Sequence, residues 1–187
     1  PRDDAGALRR ESGRDEIAAA LPEELERVLR RAPQGAHDLL RILLDTILGG
    51  ATSSRLFPEV REKRGLAYAV YSYASHYRDS GQVAVYVGTR PDNVTQAVEV
   101  IGAELARVQG EGVSEEELER ARENVKGRTV LSMESTLTRM NRLGSSILMG
   151  VPLLTVDDVL AAFDAVTPAD VTGLAQEPWQ PERMPAA

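Results

Sequence analysis

The sequence predicts an α+β fold in which one antiparallel β-hairpin is layered with several α-helices. Two segments rich in valine and tyrosine, residues 67–77 and 82–89, are separated by turn-forming residues at 78–81. In the second segment valines alternate with other residue types, and this period of two predicts that one face of the hairpin is buried. Elsewhere, apolar residues recur mainly at helical spacing.

The chain divides by composition into three parts. Residues 1–35 form a charged lead-in with a predicted helix from Asp15 or Glu16 to Arg31. Residues 36–176 form the α+β domain, and residues 177–187 form a proline-rich tail. Capping residues and glycines set the helix limits within the domain. The first predicted helix runs from His37 to Leu48 and ends at Gly49-Gly50, where a left-handed residue is commonly needed; a short helix follows, capped by Ser53 or Ser54 and stopped by Gly65. The next two run from Pro91 to Gly110 and from Ser114 towards Leu131. Another holds Leu137 to Leu148 along an apolar stripe and stops near Gly150, and two short helices start at Thr155 and Thr167.

Composition excludes several classes of function. Lys and Arg total 22 against 29 Asp and Glu, and the net charge of −7 disfavours a nucleic-acid partner. Cysteine is absent, so neither disulfides nor thiolate chemistry is available. No apolar run approaches the roughly 20 residues of a membrane-spanning helix. These features predict a soluble protein without a membrane partner, and a cytoplasmic location is favoured.

Two runs carry a resemblance to a known family. They are LLDTILGGATSSRLF at residues 43–57 and VREKRGLAY at residues 60–68, with further similarity at 131–136 and 139–144. The chain resembles the C-terminal, non-zinc half of insulinase and mitochondrial-processing-peptidase-type zinc peptidases, the pitrilysin family. The resemblance implies that an N-terminal domain or partner subunit carries zinc and that this half holds the peptide substrate.

A zinc centre is not predicted in this chain. Metal-dependent peptide hydrolysis needs about three protein ligands and a carboxylate as general base. The family signature supplies them as two histidines spaced around a glutamate on a helix, whereas here the only histidines are His37 and His76, far apart. Zinc is therefore expected in the complementary domain, with no cofactor in this one. Alone, the chain is expected to be inactive.

Arg61 and Tyr68 are the candidate catalytic residues. The resemblance implies that an arginine and a tyrosine at this spacing reach across to the zinc site of the other half. A guanidinium and a phenol can both donate hydrogen bonds to a substrate carbonyl and to the oxyanion that forms as water attacks. The alternatives are a surface cation in a last helical turn for Arg61 and a half-buried strand aromatic for Tyr68.

The candidate substrate-binding residues are Gly49, Gly50, Ser53 and Ser54. Flexible glycines before a helix N-terminus could admit an extended peptide or bind a carboxylate through free N–H groups. A plain helix-to-helix turn is the alternative. On the hairpin, Tyr71, Tyr73 and Tyr77 share one face, opposite Tyr68 and Val70, and are predicted to pack under the helices.

The predicted sheet contains only this two-stranded hairpin. The family pattern has further strands before residue 37 and after residue 176, and neither is visible in the sequence. Open edges favour pairing with another chain, so a homodimer or heterodimer is predicted. Two other functions stay open: a scaffold subunit of the same fold that has lost the metal, and a peptide-binding module without hydrolysis.

Overall fold

The computed structural model describes residues 35–76, 81–150 and 153–176. The predicted lead-in helix and the proline-rich tail lie outside these ranges, so the three-part division of the chain stays a prediction. Six α-helices, one hairpin and shorter helical segments occupy the described ranges, which confirms the α+β prediction. In chain order they are α1 (Gly35–Asp45), a first π-helical segment (Thr46–Gly50), a second π-helical segment (Phe57–Glu62), β1 (Ala67–His76), β2 (Gly81–Thr89), a 3-10 turn (Pro91–Asn93), α2 (Val94–Glu111), α3 (Glu115–Ser132), α4 (Thr136–Met149), α5 (Val156–Asp164) and α6 (Pro168–Gln176).

The strands β1 and β2 form an antiparallel pair, and no third strand joins them among the described residues. Their register pairs Tyr71 with Tyr86 and Val70 with Val87. Between Ala67 and Ala69 the register shifts by one residue, which makes Tyr68 the extra residue of a β-bulge. Val85 and Val87 pack against the core, as the alternation predicts.

One hydrophobic core joins α1, the two π-helical segments, β1, α2, α3, α5 and α6. It forms because each of these elements turns an apolar stripe or face inward, away from water. Its largest fully buried side chains are Leu40, Leu43, Leu48, Leu56, Val60, Val108, Leu118, Phe163 and Val171. No helix in the described ranges is both long and apolar enough to cross a membrane.

The capping predictions hold for the starts of α3 and α5 and for the end of α4, whereas α2 ends at Glu111 before Gly112 and not at Gly110. The Ser114 side chain accepts a hydrogen bond from the Glu117 backbone N–H while the Glu117 carboxylate accepts one from the Ser114 N–H, a reciprocal box that starts α3. Thr155 and Asp158 form the same arrangement at α5. Gly150 ends α4 with a φ of +66°.

The predicted role of Gly49 as a left-handed helix end is wrong. Gly49 does not have a positive φ, and the positive-φ glycines of the described ranges are Gly65, Gly112 and Gly150. What requires glycine is a close approach, because a Cβ there would lie 2.4 Å from the Ser72 backbone nitrogen. Ser72 donates a hydrogen bond from its Oγ to the Asp45 carbonyl at 3.0 Å. The backbone of the first π-helical segment therefore lies almost in contact with the backbone of β1.

The apolar stripe of α4 does not pack into the core. Ile147 is 80% and Leu148 is 89% exposed, and apolar neighbours on α4, at the end of α3 and after α4 are also exposed. A soluble domain seldom leaves such a patch uncovered unless another surface binds it. The exposed set is Val130, Leu131, Leu137, Met140, Leu143, Ile147, Leu148 and Leu153.

Candidate functional site: an arginine and tyrosine pair

Arg61 lies on the surface in the last turn of the second π-helical segment. Its guanidinium carbon lies 4.9 Å from the ring centre of Phe57 and 5.8 Å from that of Tyr68. Both distances are within the range of a cation–π contact. The structure thus brings the two candidate catalytic residues together, although seven positions separate them in the chain.

Local backbone contacts fix the position of Arg61. At the start of its segment, the buried Ser54 accepts a hydrogen bond at its Oγ from the Phe57 N–H at 3.5 Å. At the end, Gly65 adopts a φ of +60° and its N–H donates to the Arg61 carbonyl at 3.2 Å. The sequence predicted the glycine stop, whereas the predicted cap at Ser53 or Ser54 is wrong, because Leu56 is the N-cap and has no side-chain cap hydrogen bond.

The charges around Arg61 leave its guanidinium available. Lys63 and Arg64 both pair with the Glu59 carboxylate, and these hydrogen bonds, with the Lys63 bond contributing most, hold the pKa of Glu59 below its ordinary value. Glu59 is thereby occupied by the two neighbouring cations. Among the described residues Arg61 has no hydrogen-bond or ion-pair partner for its side chain.

The β-bulge explains why Tyr68 faces solvent. Strict alternation along β1 would place Tyr68 on the same side as Val70 and Ser72, which are both buried. The extra residue reverses the alternation, so that Ala67 is buried and Tyr68 is 85% exposed. The expectation that Tyr68 shares a face with Val70 is therefore wrong, and so is the alternative of a half-buried strand aromatic.

The prediction for the other tyrosines is also wrong, because the face of β1 that packs on the core is that of Val70 and Ser72. Tyr71 and Tyr73 are exposed rather than packed under helices, and Tyr86 of β2 is exposed beside them. Tyr71 and Tyr86 stack with ring centres 4.9 Å apart, and the centres of Tyr71 and Tyr73 are 6.2 Å apart. We call Tyr71, Tyr73 and Tyr86 the tyrosine face. Tyr77, the third residue of the predicted set, lies outside the described residues.

The four candidate substrate-binding residues differ in accessibility. Gly49 and Ser54 are buried, the first against β1 and the second before the second π-helical segment, where it accepts the Phe57 N–H. Gly50 is half-buried and Ser53 is exposed. Substrate contact stays a prediction for all four, and only Gly50 and Ser53 are accessible for it in this conformation.

Arg55, which follows Ser53 and Ser54, links this part of the chain to α3. The sequence analysis did not identify this residue. The Arg55 guanidinium donates to both carboxylate oxygens of Glu117 at 2.6 and 2.8 Å and to the Gly112 carbonyl at 2.8 Å. Burial favours protonation of Glu117, but the hydrogen bonds from Arg55 and Ser114 outweigh it and lower the pKa of Glu117 to about 2. The partners are 62 positions apart, and no local pattern links such residues.

The pair can perform one kind of chemistry by itself. A guanidinium and a phenol are hydrogen-bond donors, suited to hold a carbonyl oxygen and to stabilise negative charge on it. In the described ranges no group of three or more His, Cys, Asp or Glu side chains could hold a metal ion. These residues do not fit a zinc site, and the side chains of His37 and His76 lie outside the description.

Comparisons with known proteins relate this chain to zinc proteases. Residues 15–125 match the family model described as the peptidase M16 inactive domain. The chain is 42% identical over 171 residues to an uncharacterized zinc protease of Streptomyces coelicolor, covering 90% of this chain and 37% of that protein. It is 43% identical over 136 residues to an uncharacterized zinc protease of Bacillus subtilis, covering 73% and 33%.

Solved structures show the same fold. The peptidase M16 inactive domain from Pseudomonas fluorescens matches with a TM-score of 0.68 and 27% identity, over 79% of this chain and 35% of that one. A conserved protein from Enterococcus faecalis matches with a TM-score of 0.66 and 26% identity, over 75% and 32%. The chain spans about a third of the length of the curated relatives that it matches. By its match over residues 15–125, the chain belongs to the peptidase M16 family, as an inactive domain of that zinc peptidase family.

Proposed function

We propose that this chain is the substrate-holding half of a zinc endopeptidase, inactive until a zinc-bearing domain or subunit completes it. The observation that carries the proposal is the Arg61–Tyr68 pair. Two hydrogen-bond donors lie side by side on the surface, and Glu59, two positions before Arg61, is paired with Lys63 and Arg64 instead. Family membership supports the expectation that a catalytic partner exists.

The two side chains have distinct roles in this proposal. Arg61 holds the carbonyl oxygen of the substrate as a cationic hydrogen-bond donor. The Tyr68 hydroxyl donates a second hydrogen bond that strengthens as the oxyanion develops. The zinc-bearing half supplies the metal and the general base, and Gly50 and Ser53 are proposed to contact the peptide nearby.

Reconstitution tests this proposal. The chain alone is expected to bind no stoichiometric zinc and to cleave no peptide, whereas mixing it with a zinc-bearing half should produce activity that a chelator removes. Arg61→Ala in the mixture should lower turnover by about ten- to a thousandfold. Tightly bound zinc in the isolated chain, or full activity of Arg61→Ala, would contradict the assignment.

A scaffold role is the second candidate, favoured by the exposed apolar stripe of α4. A non-catalytic subunit needs a large apolar surface for assembly but no convergent donors. In that case the chain would form a stable complex in which Arg61→Ala and Tyr68→Phe change nothing. A peptide-binding module would instead bind peptides without any cleavage in the complex. A dimeric state and a cytoplasmic location stay predictions, tested by sedimentation and by cell fractionation.

A further inference from the structure

We propose that the tyrosine face, Tyr71, Tyr73 and Tyr86, binds a large apolar or aromatic side chain of the peptide substrate and so sets its sequence preference. The inference rests on the proposed function, because it takes a peptide as the occupant. It goes further by assigning a second contact region and the chemical class of side chain that this region selects.

The tyrosine face has the shape of a shallow aromatic surface. Tyr71 and Tyr86 are direct cross-strand partners whose planes differ by 26°. The other paired positions around them are small: Ala69 opposite Gly88, and Ala84 opposite Tyr73. A Cβ on Gly88 would lie 3.6 Å from the Tyr86 hydroxyl, so that the Tyr86 phenol extends towards the bulged end of the hairpin. Small neighbours leave the ring faces open to a ligand.

The tyrosine face continues into the Arg61–Tyr68 pair. The bulge exposes Tyr68 together with Tyr71 and Tyr73, three positions that strict alternation would divide between two faces. Tyr68 and Tyr71 are three residues apart, which is about 10 Å along a strand. An extended peptide has the same repeat, so a peptide held at the pair places a side chain a few residues away against Tyr71 and Tyr86.

The charge of the surface selects among possible side chains. Residues 69, 71, 73, 75, 84, 86 and 88 on this side of the hairpin are Ala, Tyr, Ser or Gly, without a charged group. A lysine or arginine of the substrate would lose water there without gaining a carboxylate partner along these positions. An aromatic or large aliphatic side chain gains stacking and apolar contact instead.

Binding of labelled peptides to the 187-residue chain tests this inference without any zinc half. One fluorescein-labelled octapeptide of Ser, Thr and Gly carries a single Phe, and its controls carry Ser or Lys at the same position. By anisotropy, the Phe peptide should bind about three- to tenfold more tightly than the Ser peptide, the range of one aromatic contact. Tyr71→Ala and Tyr86→Ala should abolish this ratio, whereas Tyr86→Phe and the same-strand control Val83→Ala should retain it.

Three results would overturn the inference. They are an equal affinity of the Phe and Ser peptides for the unmodified chain, a preference for the Lys peptide, and tyrosine variants that alter self-association in sedimentation but not the peptide ratio. The assay needs no cleavage, so it is independent of the turnover test on Arg61. If the chain shows no Phe preference but turnover still depends on Arg61, only the proposal for the tyrosine face is refuted. If the Phe preference is present but turnover does not depend on Arg61, only the catalytic proposal is refuted.

Discussion

The Arg61 guanidinium carbon lies 5.8 Å from the ring centre of Tyr68, and this contact depends on two separate backbone features. The left-handed Gly65 follows the helical segment, and its N–H donates a hydrogen bond to the Arg61 carbonyl. The β-bulge at the start of β1 turns the tyrosine outward. Without the bulge, alternation would place Tyr68 on the buried side of β1 with Val70.

Tyr68→Phe is expected to lower kcat in the reconstituted enzyme by about ten- to a thousandfold, because it removes one hydrogen-bond donor and keeps the ring. The melting temperature should hardly change, since Tyr68 is 85% exposed. Steady-state kinetics with thermal unfolding of the same samples measures both. Glu62→Gln, an exposed neighbour of Arg61, is the control and should keep full activity.

Combining Arg61→Ala with Tyr68→Phe should cost less than the product of the single effects if both donors act on one oxygen. Strictly multiplicative losses would indicate that the two residues contact different atoms of the substrate. An unchanged kcat for Tyr68→Phe would remove Tyr68 from the catalytic site.

Gly49→Ala is expected to destabilise the chain by about 1–3 kcal/mol, the usual effect of forcing atoms into a packed interior. The new Cβ would lie 2.4 Å from the Ser72 nitrogen, so that β1 or the helical chain must shift. Gly102→Ala is the matched control in α2, where an added Cβ meets nothing within 4 Å. It should stabilise by roughly 0.5–1 kcal/mol through helix propensity. Urea unfolding compares the two, and equal effects would refute the close approach.

Glu117→Gln is expected to reduce stability at neutral pH by about 1.5–3 kcal/mol, because it removes a charged partner of Arg55 but keeps an oxygen for the cap of α3. The folded pKa of Glu117 is lowered from 4.5 to about 2. A lowered pKa stabilises the fold above the ordinary value, and the contribution is lost as pH falls from about 4.5 to 2.

The difference in unfolding free energy between the original chain and Glu117→Gln should therefore be constant above about pH 5 and shrink below pH 4.5. Urea titrations at stepped pH values measure it. Glu116→Gln is the control, because the Glu116 side chain is 86% exposed and its pair with Arg120 contributes little. A difference that does not vary with pH would show that the charge of Glu117 does not stabilise the fold.

Ile147→Lys with Leu148→Lys is expected to reduce self-association without lowering the melting temperature. Both side chains are almost fully exposed, so the substitutions remove no packing and place charge within the apolar stripe of α4. Ser145→Lys is a control on the same helix that adds charge at an exposed polar position. Sedimentation velocity at several concentrations compares the variants. Unchanged association would indicate that the open strand edges, and not α4, mediate it.

Local signals predicted the elements correctly. The Ser114 and Glu117 box, the Thr155 and Asp158 box and the Gly65 stop each involve residues within a few positions of one another, and hydrogen-bond chemistry at that range can be inferred from the sequence. Alternating valines likewise predicted which side of β2 is buried. The candidate pair was also found from sequence, but through resemblance to a family and not through spacing alone.

The differences between the predictions and the structure arose mainly where segments distant in the chain meet. The prediction for Tyr68 assumed strict alternation, and one extra residue in β1 reversed it. The prediction for the other tyrosines failed because it took the wrong face of β1 as the buried one. The pairing of Arg55 with Glu117 and the contact of Gly49 with Ser72 join segments that are distant in the chain. Sequence by itself therefore determined the fold class and the order of the helices and strands. Tertiary structure alone decided which side chains reach solvent together, because the register of β1 and the packing of the chain against it depend on contacts that no local pattern encodes.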